Sequence, residues 1–245
     1  MKIIGLIGGM SWESSAEYYR IINQTVRKRL GGQHSASVLM YSVDFHDIEL
    51  LQHEGRWEEA AQEMADCAVR LERGGADFII LCTNTMHKLA PAIQSNTHLP
   101  LIHIVDPTAE LIRQAGFRKV GLLGTRFTME EDFYRGKLID VYGLDVIVPN
   151  EADRKVVHEV IYDELCQGKI LESSKNEYLR IIDSLTEQGA EGVILGCTEI
   201  TLLIKPEDVT LTLFDTTKIH AEKAVELALD DSITLKTNKA LEQIV

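Results

Sequence analysis

The chain has 245 residues, 45% of them hydrophobic and 26% charged, which is typical of a globular protein with a sizeable core. Its formal net charge of −13 argues against a nucleic-acid partner, because nucleic acids are bound by clustered Lys and Arg. No apolar run approaches the roughly 20 residues of a membrane helix and no signal-peptide pattern is present, so we expect a cytoplasmic protein without a membrane partner. The four cysteines lack CxxC spacing and predict reduced thiols rather than a disulfide scaffold.

Strands and helices are predicted to alternate along the first half of the chain. Apolar runs and Gly turns indicate, in chain order, a strand within residues 2–10, a helix from 11 through 22, a strand at 37–43, a helix at 57–73, strands at 76–81 and 101–105, and a helix at 109–115.

The second half is predicted to repeat this order. It contains a strand within 118–125, a helix from about 129 through 138, a strand at 145–148, helices at 155–166 and 174–188, strands at 190–195 and 209–214, and a helix at 218–229. Gly5 and Thr83 correspond to Gly121 and Cys197 at a nearly constant offset, which indicates two similar halves.

This alternation predicts an α/β protein made of two similar three-layer α/β lobes with mainly parallel sheets and an active site in the cleft between the lobes. We expect the N-terminal lobe to comprise residues 1–105 plus 211–245, and the C-terminal lobe residues 106–210. The polar tail after Asp230 is expected to be partly disordered.

Two short motifs follow buried strands at corresponding places in the two halves. They are Cys82-Thr83-Asn84-Thr85 and Gly196-Cys197-Thr198-Glu199. Because ligands of open α/β sheets bind beyond the carboxyl ends of the strands, both motifs are candidate sites. A single Cys in such a place is more often an ordinary small core residue. The matched setting in both halves favours a functional pair.

These motifs give the chain a resemblance to a known family. Together with Gly-Gly-Met-Ser-Trp at 8–12, Ser-Val-Asp-Phe at 42–45 and Phe-Asp-Thr-Thr-Lys-Ile-His at 214–220, they resemble the aspartate/glutamate racemase superfamily in its aspartate racemase branch. Glu199 fits this branch, because glutamate racemases usually carry His at that place. The resemblance runs nearly end to end. It implies a cofactor-independent amino-acid racemase, an isomerase that acts on aspartate or glutamate without pyridoxal phosphate or a metal and is commonly a homodimer.

Racemisation at Cα needs one group that removes a proton from one face and another that delivers a proton to the opposite face. Thiols suit both tasks, because a helix N-terminus or a nearby cation lowers their pKa toward neutrality. Cys197 occupies the second thiol position of the family. At the first position Thr83 replaces the cysteine, which has moved one place back to Cys82. Since side chains alternate along an extended segment, Cys82 is expected to point away from the site that Thr83 faces.

The sequence therefore predicts two catalytic groups of unequal strength. Cys197 is expected to act efficiently on one face of the substrate and Thr83 weakly on the other, because an alkoxide is a much less stable anion than a thiolate. We expect the enzyme to favour one enantiomer, within the limit that a racemisation has an equilibrium constant of one.

The resemblance also implies residues that hold the substrate. The candidates are Met10, Ser11, Gln52, Asn84, Thr85, Lys169, Thr198 and Glu199. Both motifs are expected to stand where a strand gives way to a helix, so the backbone N–H groups of residues 84–85 and 198–199 could bind the α-carboxylate. Gln52 and Lys169 would contact the second carboxylate, although an isolated Lys is more often a solvated surface residue. His87 either supports the first motif or packs the following helix.

Two other classes of function are compatible with these residues. Superfamily members use the same two positions as maleate isomerases, hydantoin racemases or decarboxylases, and the Thr83 departure allows such a change of chemistry. The second alternative is a non-catalytic two-lobed protein that closes on a small acid. The retained Cys197 disfavours it, because binding alone needs no thiol.

Overall fold

A computed structural model describes residues 1–230 of the chain. The chain divides into two compact units, one formed by residues 1–104 with the segment that begins at His220, and the other by Val105–Ile219. The expected boundary near residue 211 differs from this division, because the strand at Thr212–Asp215 pairs within the second sheet. The expectation for the tail after Asp230 lies outside the described residues.

The first unit is built on a four-stranded parallel sheet with the strand order β2-β1-β3-β4. Its strands are β1 (Ile4–Gly8), β2 (Val38–Ser42), β3 (Phe78–Leu81) and β4 (Leu101–Ile102). The helices that connect them are α1 (Trp12–Leu30), α2 (Phe45–His53), α3 (Trp57–Arg73) and α4 (Ala90–Asn96).

Apolar side chains cover both faces of this sheet. Along β3, Phe78 and Ile80 belong to a core cluster with α1, whereas Ile79 and Leu81 belong to a cluster with α3. Because successive side chains point to opposite faces, a strand covered on both sides must be apolar throughout. This explains why β1 and β3 appear in the sequence as continuous apolar runs.

The second unit repeats the plan with the strand order β6-β5-β7-β8, again all parallel. Its strands are β5 (Lys119–Gly124), β6 (Asp145–Ile147), β7 (Gly192–Gly196) and β8 (Thr212–Asp215). Its helices are α5 (Val105–Gln114), α6 (Arg126–Glu130), α7 (Lys137–Asp140), α8 (Glu151–Glu159), α9 (Glu172–Glu187) and α10 (Ile200–Leu203). The prediction of two similar parallel α/β lobes is confirmed by the matching strand orders.

The last described helix, α11 (Thr216–Leu229), begins in the second unit and continues into the first. From Ala221 onward its small apolar side chains pack against the cluster that contains α1. The Lys2 N–H donates to the Ala228 carbonyl at 2.8 Å, which ties this helix to the start of β1.

Two predicted helices are divided in the structure. The one expected at 155–166 becomes α8, a π-helical turn at Val160–Glu164 and a 3₁₀ turn at Leu165–Gln167. The expected helix at 129–138 becomes α6, a π-helical turn at Asp132–Gly136 and α7, with Glu131 in an extended conformation. The buried side chains here are Met129, Tyr134 and Leu138. Tyr134 follows Met129 by five positions, which is more than one face of a straight α-helix allows, and the wider π turn accommodates that spacing.

Candidate active site

In each unit the strand order reverses between two neighbouring strands, which are β1 and β3 in the first unit and β5 and β7 in the second. The chain leaves β1 toward β2 on one side and returns to β3 on the other, and β5 and β7 are related in the same way. Loops that leave such strands diverge and open a crevice, which is the usual ligand site of an α/β sheet. The loops concerned contain residues 9–11 and 82–84 in the first unit, and residues 125 and 197–199 in the second.

The loop after β1 lies tightly against the chain that follows β2. Gly9 has a φ of 99°, and its N–H donates to Ser15 Oγ at 2.7 Å. A Cβ at Gly9 would collide with the backbone of Val43. Glycine is therefore required here by both the positive φ and the close approach.

Met10 and Ser11 follow this glycine and have packing and capping contacts. Met10 is buried in the core cluster that contains α3. Ser11 is the N-cap of α1, and its Oγ accepts a hydrogen bond from the Ser14 N–H at 3.2 Å. These contacts are within the first unit and would be made whether or not either residue also touches substrate.

Thr83 lies two residues beyond the end of β3, half-buried, in a tight turn. Its N–H donates to the Leu81 carbonyl at 2.9 Å. Its own carbonyl oxygen lies 2.8 Å from Nδ1 of the buried His87. The backbone is thus held on both sides of the Thr83 side chain.

Asn84 and Thr85 are buried and lead into a 3₁₀ turn at Thr85–Leu89 instead of the expected α-helix. The regular helix α4 begins only at Ala90, beyond this turn, and the field of a helix falls off within its first turn. An anion at this loop would therefore depend on individual N–H groups rather than on a helix N-terminus.

Cys82 lies on the α1 face, as the alternation of side chains predicts. It is fully buried in the cluster that contains Phe78 and Ile80. This burial raises the pKa of the Cys82 thiol far above its ordinary value, so it stays protonated and inert. Its backbone carbonyl accepts a hydrogen bond from Ser14 Oγ at 3.0 Å, which fixes the loop to α1.

Gln52 is a buried residue of α2 and contacts the turn that follows Thr83. Its Nε2 donates to Met86 Sδ at 2.9 Å, and Met86 lies in the turn that follows Thr83. The nearby Arg56 is exposed and forms ion pairs with carboxylates of its own segment. Of these two polar residues, Gln52 is the one that lies near the first motif.

The strands β5 and β7 end side by side at two glycines. A Cβ at Gly124 would lie 3.0 Å from the Gly196 carbonyl, and a Cβ at Gly196 would lie 2.9 Å from the Leu123 carbonyl. These distances are too short for a side chain, so glycine at both positions lets the strand ends approach closely. Cys197 follows immediately at this edge.

Cys197 is half-buried, and its thiol is hydrogen-bonded to a carboxylate. Sγ donates to Glu199 Oε2 at 3.0 Å, and Glu199 is only 7% exposed. Burial first, and then the charge of Glu199, raise the pKa of the Cys197 thiol well above its ordinary value. The helix that follows, α10, has four residues and adds little field. The expectation of a pKa lowered by a helix N-terminus is therefore wrong for this thiol.

The contact with Cys197 also suggests a role for Glu199 other than direct substrate binding, namely as an acceptor of the thiol proton. An ionised carboxylate facing an acidic substrate would repel it, whereas beside a thiol it can accept the thiol proton. The pair carries a single negative charge before and after that transfer. No second charge has to be buried, which would be costly.

Thr198 is braced by residues at the start of α11. Thr198 Oγ1 lies 2.7 Å from Thr217 Oγ1, and the Thr198 carbonyl accepts a hydrogen bond from Thr201 Oγ1 at 2.7 Å. Thr216 Oγ1 donates to the Leu195 carbonyl at 2.8 Å. The segment beyond β8 therefore supports the loop that bears the thiol.

Lys169 is exposed and follows Gly168, which adopts a left-handed conformation. Its Nζ donates to Gln167 Oε1 at 2.7 Å and lies 3.4 Å from the Asp163 carbonyl. The short turn at Leu165–Gln167 packs against α10, which places this segment next to the second loop.

Two further residues hold these loops: His87, whose role the sequence left open between supporting the first motif and packing the following helix, and Thr217, to which the sequence assigned no role. His87 binds the Thr83 carbonyl, and Thr217 contacts Thr198. The available signals were a His four residues after Thr83 and the paired threonines after Phe-Asp at 214–215. Within residues 1–230, no three His, Cys, Asp or Glu side chains cluster as a metal site would require. No helix in that range is both long and apolar enough to cross a bilayer.

Residues 7–224 match the family described as Asp/Glu/hydantoin racemase. The chain belongs to this family. The match confirms the resemblance that the paired motifs indicated, and it covers nearly all of both units. It also confirms the prediction that the protein is an isomerase of the amino-acid racemase type.

Individual relatives are similar over almost their whole length. A candidate Asp/Glu racemase from Yersinia pestis is 54% identical, with 94% of this chain and 100% of that chain covered and a TM-score of 0.89. An aspartate racemase homologue from Pyrococcus horikoshii is 37% identical, with 94% and 100% covered and a TM-score of 0.81. The broad specificity amino-acid racemase of Bacillus subtilis is 24% identical over 93% of this chain and 98% of its own length.

Proposed function

We propose that the protein racemises acidic amino acids, aspartate or glutamate, by two-base proton transfer at Cα without a cofactor. Cys197 acts on one face of Cα and Thr83 on the other. The observation that carries this proposal is the hydrogen bond of 3.0 Å from Cys197 Sγ to Glu199 Oε2 at the end of β7. It joins a thiol to a group that can take its proton.

In the first step the thiol transfers its proton to Glu199, and the thiolate then removes the Cα proton. Burial makes the thiolate unstable, which is why the pKa of Cys197 is raised. The same instability makes the thiolate a strong base once it has formed. Glu199 thus gives the thiol proton an acceptor, so the base is a transient thiolate while the resting thiol keeps its raised pKa.

The opposite face is served by the Thr83 hydroxyl, which delivers a proton directly or through a water that it orients. A hydroxyl is a far weaker acid than a thiol, so this transfer is the slower of the two. The carbanion formed by Cys197 therefore recaptures a proton from Cys197 more often than it receives one from the Thr83 side.

This inequality appears in isotope exchange rather than in the net rates. Because the equilibrium constant of racemisation is one, kcat/KM must be equal in the two directions. Exchange of the Cα hydrogen with retention of configuration is not bound by that equality. It should be fast for the enantiomer that Cys197 deprotonates and slow for its mirror image.

The substrate carboxylates need donors. We assign one contact to the Gln52 amide, near the loop after β3, and another to the Lys169 ammonium, near the loop after β7. Gln52 is neutral and gives less selectivity for a charged side chain than an Arg would. The broad specificity reported in the name of the Bacillus subtilis relative is compatible with such a site. A panel of L- and D-amino acids assayed by chiral chromatography gives the substrate range, and aspartate and glutamate should be turned over fastest.

Deuterium exchange tests the mechanism. Each pure enantiomer of aspartate is incubated with enzyme in D₂O, and retention and inversion are followed by mass spectrometry after chiral separation. We expect exchange with retention from one enantiomer to exceed that from the other by about 10-fold or more. Equal exchange from both enantiomers would contradict the unequal pair, and the absence of exchange from any acidic amino acid would contradict the proposed activity.

A further inference from the structure

We propose that His87 is a positioning residue for Thr83, and that it acts by holding the Thr83 carbonyl oxygen. This inference rests on the proposed function of Thr83. Efficient proton transfer by Thr83 then depends on His87, whereas proton transfer by Cys197 does not.

The ring of His87 bridges two backbone groups. Nδ1 lies 2.8 Å from the Thr83 carbonyl oxygen, and the Ile104 N–H donates to Nε2 at 3.2 Å. His87 is 1% exposed, so neither nitrogen exchanges its partner readily for solvent. Ile104 is the last residue of the first unit before the chain enters α5.

These two contacts define the protonation state of the ring. Nε2 faces an N–H donor and must be the acceptor, and Nδ1 faces a carbonyl and must carry the hydrogen. His87 is therefore a neutral imidazole with its proton on Nδ1. Either the opposite tautomer or a doubly protonated ring would place two hydrogens against each other at the Ile104 N–H.

The bond from His87 fixes the direction of the Thr83 side chain. The Thr83 N–H is already bound to the Leu81 carbonyl at 2.9 Å. With the carbonyl held as well, both peptide planes that flank the Thr83 Cα are fixed. The hydroxyl can then move only by rotation about χ1, which favours the productive geometry that proton transfer requires.

Neighbouring rings keep His87 in place. Its ring centroid lies 4.6 Å from that of His103 and 5.7 Å from that of His220. His220 Nδ1 lies 2.9 Å from Tyr18 Oη, and its Nε2 lies 2.8 Å from the Ile102 carbonyl. The rings of His87, His103, His220 and Tyr18 form a cluster behind the Thr83 turn, which we call the histidine cluster.

Substitution of His87 by asparagine or by glutamine tests its two contacts one at a time. An Asn amide nitrogen occupies nearly the place of Nδ1, so His87→Asn keeps a donor for the Thr83 carbonyl and loses the contact with Ile104. A Gln amide reaches the place of Nε2, so His87→Gln keeps the Ile104 contact and loses the donor to Thr83. His220→Gln, which keeps a donor for the Ile102 carbonyl, is the matched control for damage to the histidine cluster.

The readout is the ratio of inversion to retention during Cα exchange in D₂O, for the enantiomer that Cys197 deprotonates. We expect His87→Gln to lower this ratio by about 10-fold or more, because a small misplacement of a reacting group is costly. In His87→Asn and His220→Gln the ratio should stay within about 3-fold of the wild type, as expected when the group itself is not displaced. Retention exchange, which needs only Cys197, should be similar in all three variants.

The outcomes separate the two proposals. Equal ratios in His87→Asn and His87→Gln, or parallel losses of inversion and retention, would overturn the role of His87. Absence of exchange in the wild type would instead overturn the proposed function. The tautomer gives a test that needs no variant: ¹⁵N–¹H correlation spectra of the wild-type histidine side chains should show His87 with its hydrogen on Nδ1. A hydrogen on Nε2 would refute the bond to Thr83.

Discussion

The loops after β3 and β7 occupy equivalent places in two sheets of the same strand order, yet they hold their functional side chains in different ways. Thr83 is fixed through its backbone, by Leu81 and His87. Cys197 is bonded through its side chain, to Glu199. The fold therefore supplies two matched strand ends, and the local hydrogen bonds decide which chemistry each of them can perform.

Under the proposed mechanism, this difference allows the Cys197 side to act as both acid and base. A thiol next to a carboxylate can pass its proton back and forth without a change in the charge of the pair. The Thr83 hydroxyl has no such partner in the contacts described above, so the proposed mechanism gives it the part of a weak proton donor. Four experiments test this difference, beginning with the largest expected effect.

Cys197→Ser removes the stronger partner. A serine hydroxyl is a far weaker acid than a thiol and Glu199 cannot deprotonate it, so we expect kcat/KM for racemisation to fall by about 10³-fold or more. Chiral chromatography of L- and D-aspartate measures the loss, and circular dichroism checks that the fold is retained. A well-folded variant within about 10-fold of the wild type would mean that another group removes the Cα proton.

Glu199→Gln is expected to change the reactivity of the Cys197 thiol and the rate of turnover in opposite directions. Loss of the carboxylate charge should lower the pKa of Cys197, which burial and Glu199 together raise. At pH 8 the thiolate fraction then rises, and alkylation of Cys197 by iodoacetamide should be about 3-fold faster or more. Turnover should nevertheless fall by about 10- to 100-fold, because Gln cannot accept the proton.

The matched control for this variant is Glu187→Gln, an exposed carboxylate on α9. Peptide mapping by mass spectrometry distinguishes Cys197 from Cys166, which is also partly accessible. Slower alkylation together with slower turnover would show that Glu199 only supports the loop. Unchanged turnover with faster alkylation would show that the thiol loses its proton by another route.

Thr83→Cys makes the two strand ends chemically alike. A thiol at this position is a much better acid and base than a hydroxyl, and the His87 contact uses only the backbone carbonyl, which the substitution leaves in place. We expect the ratio of retention exchange between the two enantiomers to fall toward one, by about 10-fold from the wild-type value. An unchanged ratio would mean that the asymmetry arises from substrate orientation instead of from Thr83.

Most of the fold follows from short-range patterns in the sequence. The helix α3 has the predicted bounds, because its amphipathic period and flanking turns are clear. The strand-end positions of Thr83 and Cys197 were also predictable, since Gly and polar residues follow long apolar runs. The division of the expected helix at 129–138 was less visible, because it depends on a five-residue spacing between buried side chains.

The partners of the functional groups were harder to predict than their positions. His87 could be placed near Thr83 by spacing, but its bond to Ile104 depends on where β4 ends in space. The pKa of Cys197 was expected to fall because a helix was expected after it. The helix has one turn and the nearest charge is Glu199, so the direction is reversed. Short-range sequence patterns do not show where tertiary packing ends a helix, so they do not predict the length of that helix.

Cys82→Ala should have the smallest effect on activity and tests which side chain of the first loop takes part. The Cys82 thiol is buried in the cluster that contains Phe78 and Ile80, and its contacts there are apolar. Removing the sulfur leaves a small cavity, which should cost about 1–2 kcal/mol in the free energy of unfolding, measured by denaturant titration. Racemisation should stay within about 2-fold of the wild type, since the group is not among the proposed acids and bases. A loss as large as that of Cys197→Ser would instead make Cys82 the missing thiol, and both strand ends would then act through sulfur.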